Sequence, residues 1–146
     1  PGLDGVDKKM SKSSGNYIAT NLSAEETTKK IRTMFTDPVK IRKDDPGHPD
    51  GCVVFAFHDI YNRGELPAIR SECESGARGC VSCKMELAEK MNAALEPIRA
   101  RRAELEADPK RVRDILGAGA DKAGAIARET MREVREVMNI PTRESV

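Results

Sequence analysis

The chain has 146 residues, and its 25 Lys and Arg side chains nearly balance its 24 Asp and Glu side chains, so the net charge is +1. This balance argues against a strong general binder of nucleic acid, which would be more basic. Aromatic residues make up 3% of the sequence and Trp is absent, so a core has to be built mainly from aliphatic residues and Met. Such a composition favours helices over sheets. No apolar run is long enough to span a bilayer and no signal peptide is visible, which predicts a cytoplasmic protein.

The first twenty residues are rich in Gly, Ser, Asp and Asn, which is typical of a loop. The segment Lys9-Met10-Ser11-Lys12-Ser13 puts two ammonium groups and two hydroxyls close together, and Gly15 and Asn16 follow it. Lysine side chains carry point charges on flexible stems, and short donors with free backbone amides can surround an anion. The segment is therefore a candidate phosphate-binding loop, with an ordinary exposed turn as the alternative.

The first helix is predicted from Ala24 to Phe35. Ser23 and Glu26 have the spacing of a capping box, in which each side chain accepts a hydrogen bond from the other residue's backbone amide. The pair Asp37-Pro38 ends the helix, because the residue before Pro disfavours the helical conformation. The periodicity directs three side chains toward the core: Ile31, Met34 and Phe35.

The middle of the chain holds one short apolar segment between two segments without periodicity. Residues 40–51 are charged and contain Pro, which predicts a surface loop with His48 exposed. Residues 52–61 are strongly apolar, and we favour a helix over a strand because His58 and Asp59 do not continue a strand alternation. His58 is expected to pack at the edge of this element; for either His, a place beside a metal site or a contact to a base is the alternative. Residues 62–79 contain several Gly and one Pro and are predicted to be irregular.

Three helices are predicted in the last part of the chain. The first covers residues 81–105, with a kink or a break just before Pro97. Asp108-Pro109 is a start signal, with Asp as the cap and Pro in the first turn, for a short helix that ends at Gly117. The last helix is predicted over residues 120–138.

The chain contains four cysteines, and they are candidate ligands of a single metal centre: Cys52, Cys73, Cys80 and Cys83. The two-residue spacing between Cys80 and Cys83 lets both sulfur atoms approach one ion, and Cys73 lies in a stretch that can fold back onto them. Four thiolates can hold zinc or a four-iron cluster. Disulfides are disfavoured in a reduced cytoplasm, and four unliganded cysteines within so short a stretch would be unusual.

The phosphate-loop segment, with its lead-in Pro1-Gly2-Leu3-Asp4-Gly5, resembles the second signature of the class I aminoacyl-tRNA synthetases, and the lead-in resembles the tryptophanyl branch. The resemblance implies that Lys9 and Lys12 are the catalytic lysines, which neutralise the β- and γ-phosphates of ATP while tryptophanyl-adenylate forms. It implies an ATP-binding set of five residues: Lys9, Met10, Ser11, Lys12 and Ser13. The ATP would be bound with Mg.

The same resemblance extends over nearly the whole chain and implies a mainly α fold. Residues 1–20 would be the phosphate loop and a linker, and residues 21–146 a helical domain that binds the tRNA anticodon, with the cysteine metal centre at residues 52–83. The chain would be the C-terminal part of the iron–sulfur-containing bacterial type, and the nucleotide-binding α/β domain is missing. We therefore expect this polypeptide alone to be unable to activate tryptophan.

The resemblance also favours a 4Fe–4S cluster over zinc for the cysteines, in a structural role. The cluster would position Arg63, Arg78 and Lys84 for contact with the tryptophan tRNA. ATP, and tryptophan through the missing domain, are the other expected partners, and the full enzyme is expected to be a homodimer. The alternative function is a non-catalytic, metal-stabilised module that binds nucleic acid.

Overall fold

The computed structural model describes residues 1–141, and this part of the chain is mainly helical, as predicted. It contains no strand; the nearest feature is an isolated bridge between Gly2 and Gly5. Two short 3-10 turns cover Pro49–Gly51 and Arg63–Glu65. The α-helices of the described part are α1 (Ala24–Arg32), α2 (Val53–Tyr61), α3 (Leu66–Glu74), α4 (Cys80–Ala107) and α5 (Pro109–Val137).

Helix α1 begins with the predicted capping box. The backbone amide of Glu26 donates to Ser23 Oγ over 3.1 Å, and the amide of Ser23 donates to Glu26 Oε2 over 2.9 Å. Both donors belong to the group that a helix start leaves without an intrahelical acceptor. The start of α1 is therefore fixed by two local hydrogen bonds that the sequence predicts.

The end of α1 differs from the prediction. The helix stops at Arg32, and Phe35 is 39% exposed, whereas Ile31 and Met34 are buried as predicted. The backbone amide of Phe35 donates to the carbonyl of Leu3 over 2.8 Å. The expectation of a buried Phe35 was wrong because the chain has already left the helix there, so helical periodicity no longer sets the direction of the side chain.

The apolar segment predicted as a helix over residues 52–61 forms helix α2 from Val53, with Cys52 at its N-cap. The expectation of an irregular segment from 62 to 79 was wrong for its central part. Helix α3 occupies Leu66–Glu74. Pro67 lies in the first turn of α3, where a missing N–H costs nothing, so it starts the helix instead of preventing it. Ile69 is 1% exposed and anchors α3 to the rest of the fold.

Helix α4 runs through Pro97 without interruption, so the expected break is absent. The stretch around Pro97 is held by Arg99, whose guanidinium donates to the carbonyl of Leu22 over 2.8 Å and to Thr27 Oγ1 over 2.9 Å. Asn92 Oδ1 accepts a further bond from Arg99 over 2.9 Å. The bonds to Leu22 and Thr27 tie α4 to α1 and to the residue just before its cap, and the bond to Asn92 spans, within α4, the position where Pro removes a helical hydrogen bond.

Helix α5 is continuous from Pro109 to Val137, so the two helices predicted here are one. Asp108 caps it as predicted, with its Oδ1 accepting from the amide of Arg111 over 3.0 Å. Gly117 was expected to end the first of the two helices, but a Gly inside a helix costs only about 1 kcal/mol relative to Ala. No side chain of α5 is buried.

The described residues divide into two compact units, Pro1–Arg101 and a second unit that begins at Arg102. The buried apolar cluster belongs to the first unit and joins the initial loop to α1, α2 and α4. Its fully buried members include Ile31, Val53 and Leu87. Within residues 1–141, no helix is both long enough and apolar enough to cross a membrane.

Candidate phosphate loop and cysteine cluster

Residues 1–16, here called the phosphate loop, fold back on themselves. The amide of Gly2 donates to the carbonyl of Lys8 over 2.6 Å, and the amide of Leu3 donates to the carbonyl of Asn16 over 3.0 Å. Gly15 closes the turn at φ +68°, a left-handed conformation that Gly adopts without strain. The beginning and the end of the loop therefore lie side by side.

Of the five residues predicted to bind ATP, Lys9, Lys12 and Ser13 are exposed, and Met10 and Ser11 are half-buried. Lys9 and Lys12 are exposed, and within residues 1–141 neither side chain has a hydrogen-bond or ion-pair partner. Ser11 Oγ and Ser13 Oγ are 2.7 Å apart, whereas Met10 packs partly against the buried core. Two cationic groups and two hydroxyls are thus available to an anion at the surface.

The order of the phosphate loop depends on Asn16, which is only 8% exposed. Its Nδ2 donates to Asp4 Oδ1 over 2.7 Å and to the carbonyl of Lys9 over 3.3 Å, and its Oδ1 accepts from the amide of Ser11 over 2.8 Å. Asp4 also pairs with Lys8 over 3.0 Å, and its pKa lies below the ordinary value because of the bonds from Asn16 and then Lys8. Sequence reasoning noted Asn16 in the motif but did not identify this role.

The four cysteines, here called the cysteine cluster, line one small cavity. Cys52 occupies the N-cap position of α2 without a capping hydrogen bond from its side chain, Cys73 lies in α3, and Cys80 and Cys83 lie in the first turn of α4. The structure thus brings together the thiols that the spacing predicts to converge. The cavity has a volume of about 20 Å³, and its other walls include Val54, Phe55 and Ile69.

Burial favours the protonated form of two thiols of the cysteine cluster, those of Cys73 and Cys83. Burial raises the pKa of Cys83 to about 12, and burial together with the neighbouring Cys52 raises the pKa of Cys73. The pKa of His58, which is fully buried, is lowered by its burial, and its Nε2 lies 3.4 Å from Cys83 Sγ. As these side chains are oriented, no group of three or more His, Cys, Asp or Glu residues within 1–141 has the arrangement of a metal site.

The chemistry of the donor set nevertheless fits a metal. Four thiols, from the N-cap of α2 and from α3 and α4, face one mainly apolar cavity that Arg78 also lines. A thiolate is stabilised there only by a cation or by hydrogen bonds, and the Arg78 charge is the one that lowers the pKa of Cys83 against the effect of burial. Gly47 lies against the cluster: its amide donates to the carbonyl of Cys73 over 2.9 Å, and a Cβ at this position would stand 2.6 Å from Cys73 Sγ. The backbone therefore approaches the cluster at a point where only Gly fits.

The three residues considered for tRNA contact have different environments. Arg63 is 81% exposed at its side chain and pairs with Asp59 over 3.2 Å. The side chain of Arg78 is 16% exposed and is bound by the carboxylates of Glu72 and Glu86. The amine of Lys84 donates to the carbonyl of Arg32, at the end of α1, over 3.0 Å. Arg63 thus presents the most accessible charge of the three.

Comparison with known proteins assigns the chain to a family. The family model for class I tRNA synthetases of tryptophan and tyrosine matches residues 1–96. The tryptophan–tRNA ligase of Aquifex aeolicus is 45% identical over 97% of this chain and 36% of that protein. The ligase of Thermotoga maritima is 38% identical over 96% of this chain and 43% of that protein.

A solved structure agrees with these matches. The crystal structure of tryptophanyl-tRNA synthetase from Campylobacter jejuni has a TM-score of 0.81 and 29% sequence identity, and it covers 95% of this chain and 44% of that chain. A second structure of that protein, with the same score, is complexed with ADP and tryptophan. The chain spans less than half of the length of these relatives.

Proposed function

Since the chain belongs to the class I tRNA synthetases of tryptophan and tyrosine, we propose that it is the C-terminal part of a tryptophan–tRNA ligase. The phosphate loop binds the triphosphate of ATP while tryptophanyl-adenylate forms, and the helical part binds the tryptophan tRNA. The high identity to two ligases that use tryptophan supports this choice over tyrosine. The nucleotide-binding and tryptophan-binding parts belong to the remainder of such an enzyme.

The observation that carries this proposal is the pair of unpartnered lysines on an ordered backbone. Lys9 and Lys12 are both exposed and without a partner among residues 1–141, while the backbone between Gly2 and Asn16 is held by hydrogen bonds. During adenylate formation, negative charge moves toward the departing pyrophosphate. Cations that follow this charge stabilise the transition state more than the bound substrate, which is what accelerates a reaction.

For the helical part, we propose that Arg63 contacts the tRNA, because its guanidinium is accessible and only a surface carboxylate competes for it. The amine of Lys84 can exchange its single backbone acceptor for a phosphate oxygen. We expect Arg78 to contribute less to tRNA binding than Arg63, because Glu72 and Glu86 already neutralise its charge. A full test therefore needs each of the three replaced separately.

We further propose that the cysteine cluster is a metal centre, held by Cys52, Cys73, Cys80 and Cys83. The four-iron, four-sulfur cluster is the first candidate, on the resemblance of the cysteine spacing, and zinc is the alternative. A cavity of about 20 Å³ takes about one water or ion, so a larger cluster requires the thiols to move apart. When bound, the metal would supply thiolate bonds that join α2, α3 and α4.

The experiment that tests the function joins this chain to a nucleotide-binding domain. The corresponding segment of the Aquifex aeolicus ligase is replaced by this chain, and tryptophan-dependent exchange between ATP and pyrophosphate is measured. We expect exchange, and we expect Lys12→Ala to lower it on the order of 100-fold, since one electrostatic contact to the developing charge is removed. Lys9→Ala is expected to act in the same direction.

Lys29→Ala is the matched control, because Lys29 is an exposed surface lysine in α1 that pairs only with Glu25 in the described structure. Its exchange rate should equal that of the parent. A folded chimera that shows no exchange, or that exchanges equally well with Lys12→Ala, would contradict the proposed function and favour a non-catalytic module.

A further inference from the structure

The carboxamide of Asn16 is the one buried polar side chain that joins the two halves of the phosphate loop in the described residues. It connects Asp4 in the lead-in with the backbone of Lys9 and Ser11 in the motif. Both ends of the carboxamide are used, and the two kinds of bond require the amide nitrogen and the amide oxygen in this orientation. Of the common side chains, Asn has the length and the paired donor and acceptor that this position needs.

The surroundings of Asn16 are closely packed. A Cβ added to Gly2 would collide with Asn16 Nδ2 and would stand 2.8 Å from Asp4 Oδ1. The backbone of Asn16 is held as well, because its carbonyl accepts from the amide of Leu3 over 3.0 Å. The carboxamide therefore lies between Gly2 and the motif with both its nitrogen and its oxygen hydrogen-bonded.

The positions of the Lys9 and Lys12 ammonium groups depend on the backbone that carries these side chains. Lysine stems are long and have many rotamers, so only the backbone below them can fix the region that each ammonium group reaches. Asn16 holds that backbone at Lys9 and at Ser11, the first and third residues of the motif. Misplacement of a reacting contact by about 1 Å can cost on the order of 100-fold in rate.

We infer that Asn16 is a positioning residue for the ATP phosphates: its carboxamide fixes the backbone from which Lys9 and Lys12 reach the nucleotide, without itself touching it. This inference rests on the proposed function, since it assigns Asn16 a part in the same ATP site. It concerns the placement of the lysines and predicts no contribution to tryptophan binding.

The test uses Asn16→Ala in the chimera described above, with ATP and tryptophan varied separately. We expect kcat/KM for ATP to fall about tenfold to a hundredfold, with KM for tryptophan within about twofold of the parent. In the same variant, hydrogen exchange at the Ser11 amide should become faster, because Asn16 Oδ1 is its acceptor. The matched control is Asn21→Ala, an exposed Asn outside the phosphate loop, which should leave all three quantities unchanged.

A second variant tests the orientation of the carboxamide. Asn16→Asp keeps the acceptor for Ser11 but places an oxygen where Nδ2 donates to Asp4, so two carboxylates face each other. Adding Asp4→Asn restores one donor between the two side chains. We expect the single variant to lose activity with ATP and the double variant to recover part of it.

The outcomes separate the two proposals. A parent chimera without exchange, or one indifferent to Lys12→Ala, contradicts the proposed function and the inference with it. If Lys12→Ala lowers exchange and Asn16→Ala does not, the function stands and the inference is wrong. An Asn16→Ala variant that loses tryptophan and ATP affinity equally, with a large fall in melting temperature, also overturns the inference, because Asn16 would then serve general stability.

Discussion

The phosphate loop and the cysteine cluster lie in the same compact unit, but different forces order them. The phosphate loop is mostly exposed, and Asn16 holds it through three hydrogen bonds to Asp4, Lys9 and Ser11. The cysteine cluster is enclosed by apolar side chains such as Ile69, which is 1% exposed. Hydrogen bonds are directional and can be broken one at a time, whereas apolar burial is spread over many contacts. The loop is therefore suited to local movement during a reaction, and the cluster to stable support.

The largest effect is expected from Ile69→Ala. Removal of this buried side chain should lower the free energy of unfolding by about 2–5 kcal/mol, because a cavity opens beneath α3 and the cysteine cluster. Urea unfolding of the chain measures the loss. Ile60→Ala is the matched control, because Ile60 is 63% exposed and its removal opens no cavity. Equal losses in the two variants would contradict the claim that burial holds this region.

Metal loading should have the next largest effect. Anaerobic incorporation of iron and sulfide, or of zinc, should stabilise the folded chain by about 3 kcal/mol at a metal activity near 100 times its dissociation constant. Elemental analysis with thermal unfolding identifies the metal and the gain. Cys83→Ser should remove the gain, while Val81→Ser, at an exposed neighbouring position, should retain it. A chain that binds neither metal would show that the cysteine cluster is only a set of buried thiols.

A smaller effect, confined to the phosphate loop, is expected from Gly2→Ala. The added methyl group displaces the carboxamide of Asn16, which costs about 1–3 kcal/mol locally. Trypsin should then cleave faster after Lys9 and Lys12, while the unfolding of the core by urea changes little. Gly64→Ala is the matched control, because a Cβ there meets nothing within 4 Å. If Gly2→Ala destabilised the core as much as Ile69→Ala, the two regions would not be independently held.

The smallest effect is expected from Ser23→Ala, which removes the cap of α1. The loss should be about 1 kcal/mol, because the amide of Glu26 loses its acceptor. Thermal unfolding measures it against Ser14→Ala, an exposed Ser that has no side-chain hydrogen bond in the described structure. No difference between the two would show that solvent replaces the cap without cost.

Features that depend on near neighbours in the sequence were predictable. The capping box at Ser23, the cap at Asp108 and a helix in the apolar segment 52–61 are confirmed. The predictions of an irregular segment around Pro67 and of a helix end at Gly117 were wrong, because Pro and Gly break helices in some positions and are tolerated in others. Whether they end a helix is decided by where the helix begins and by what it packs against.

The candidate site shows the same division. The motif predicts Lys9 and Lys12 as phosphate ligands, and the structure leaves both exposed. The spacing predicts that the cysteines converge, and they line one cavity. The role of Asn16 was not predictable, because it depends on how Gly2 and Asp4 return to the motif across a turn. The convergence of cysteines also does not specify a metal, since ligand type is shared by zinc and iron centres.

Helix α5 has 29 residues and no buried side chain. Isolated helices shorter than roughly 12–15 residues are only marginally stable in water, and α5 is longer than that. Ion pairs along its surface, such as those of Arg132 with Glu129 and Glu136, add to its stability. Such pairs weaken as mobile ions accumulate around them. We therefore expect the helical circular dichroism of this segment to decrease at salt concentrations that leave the aliphatic core of the first unit folded.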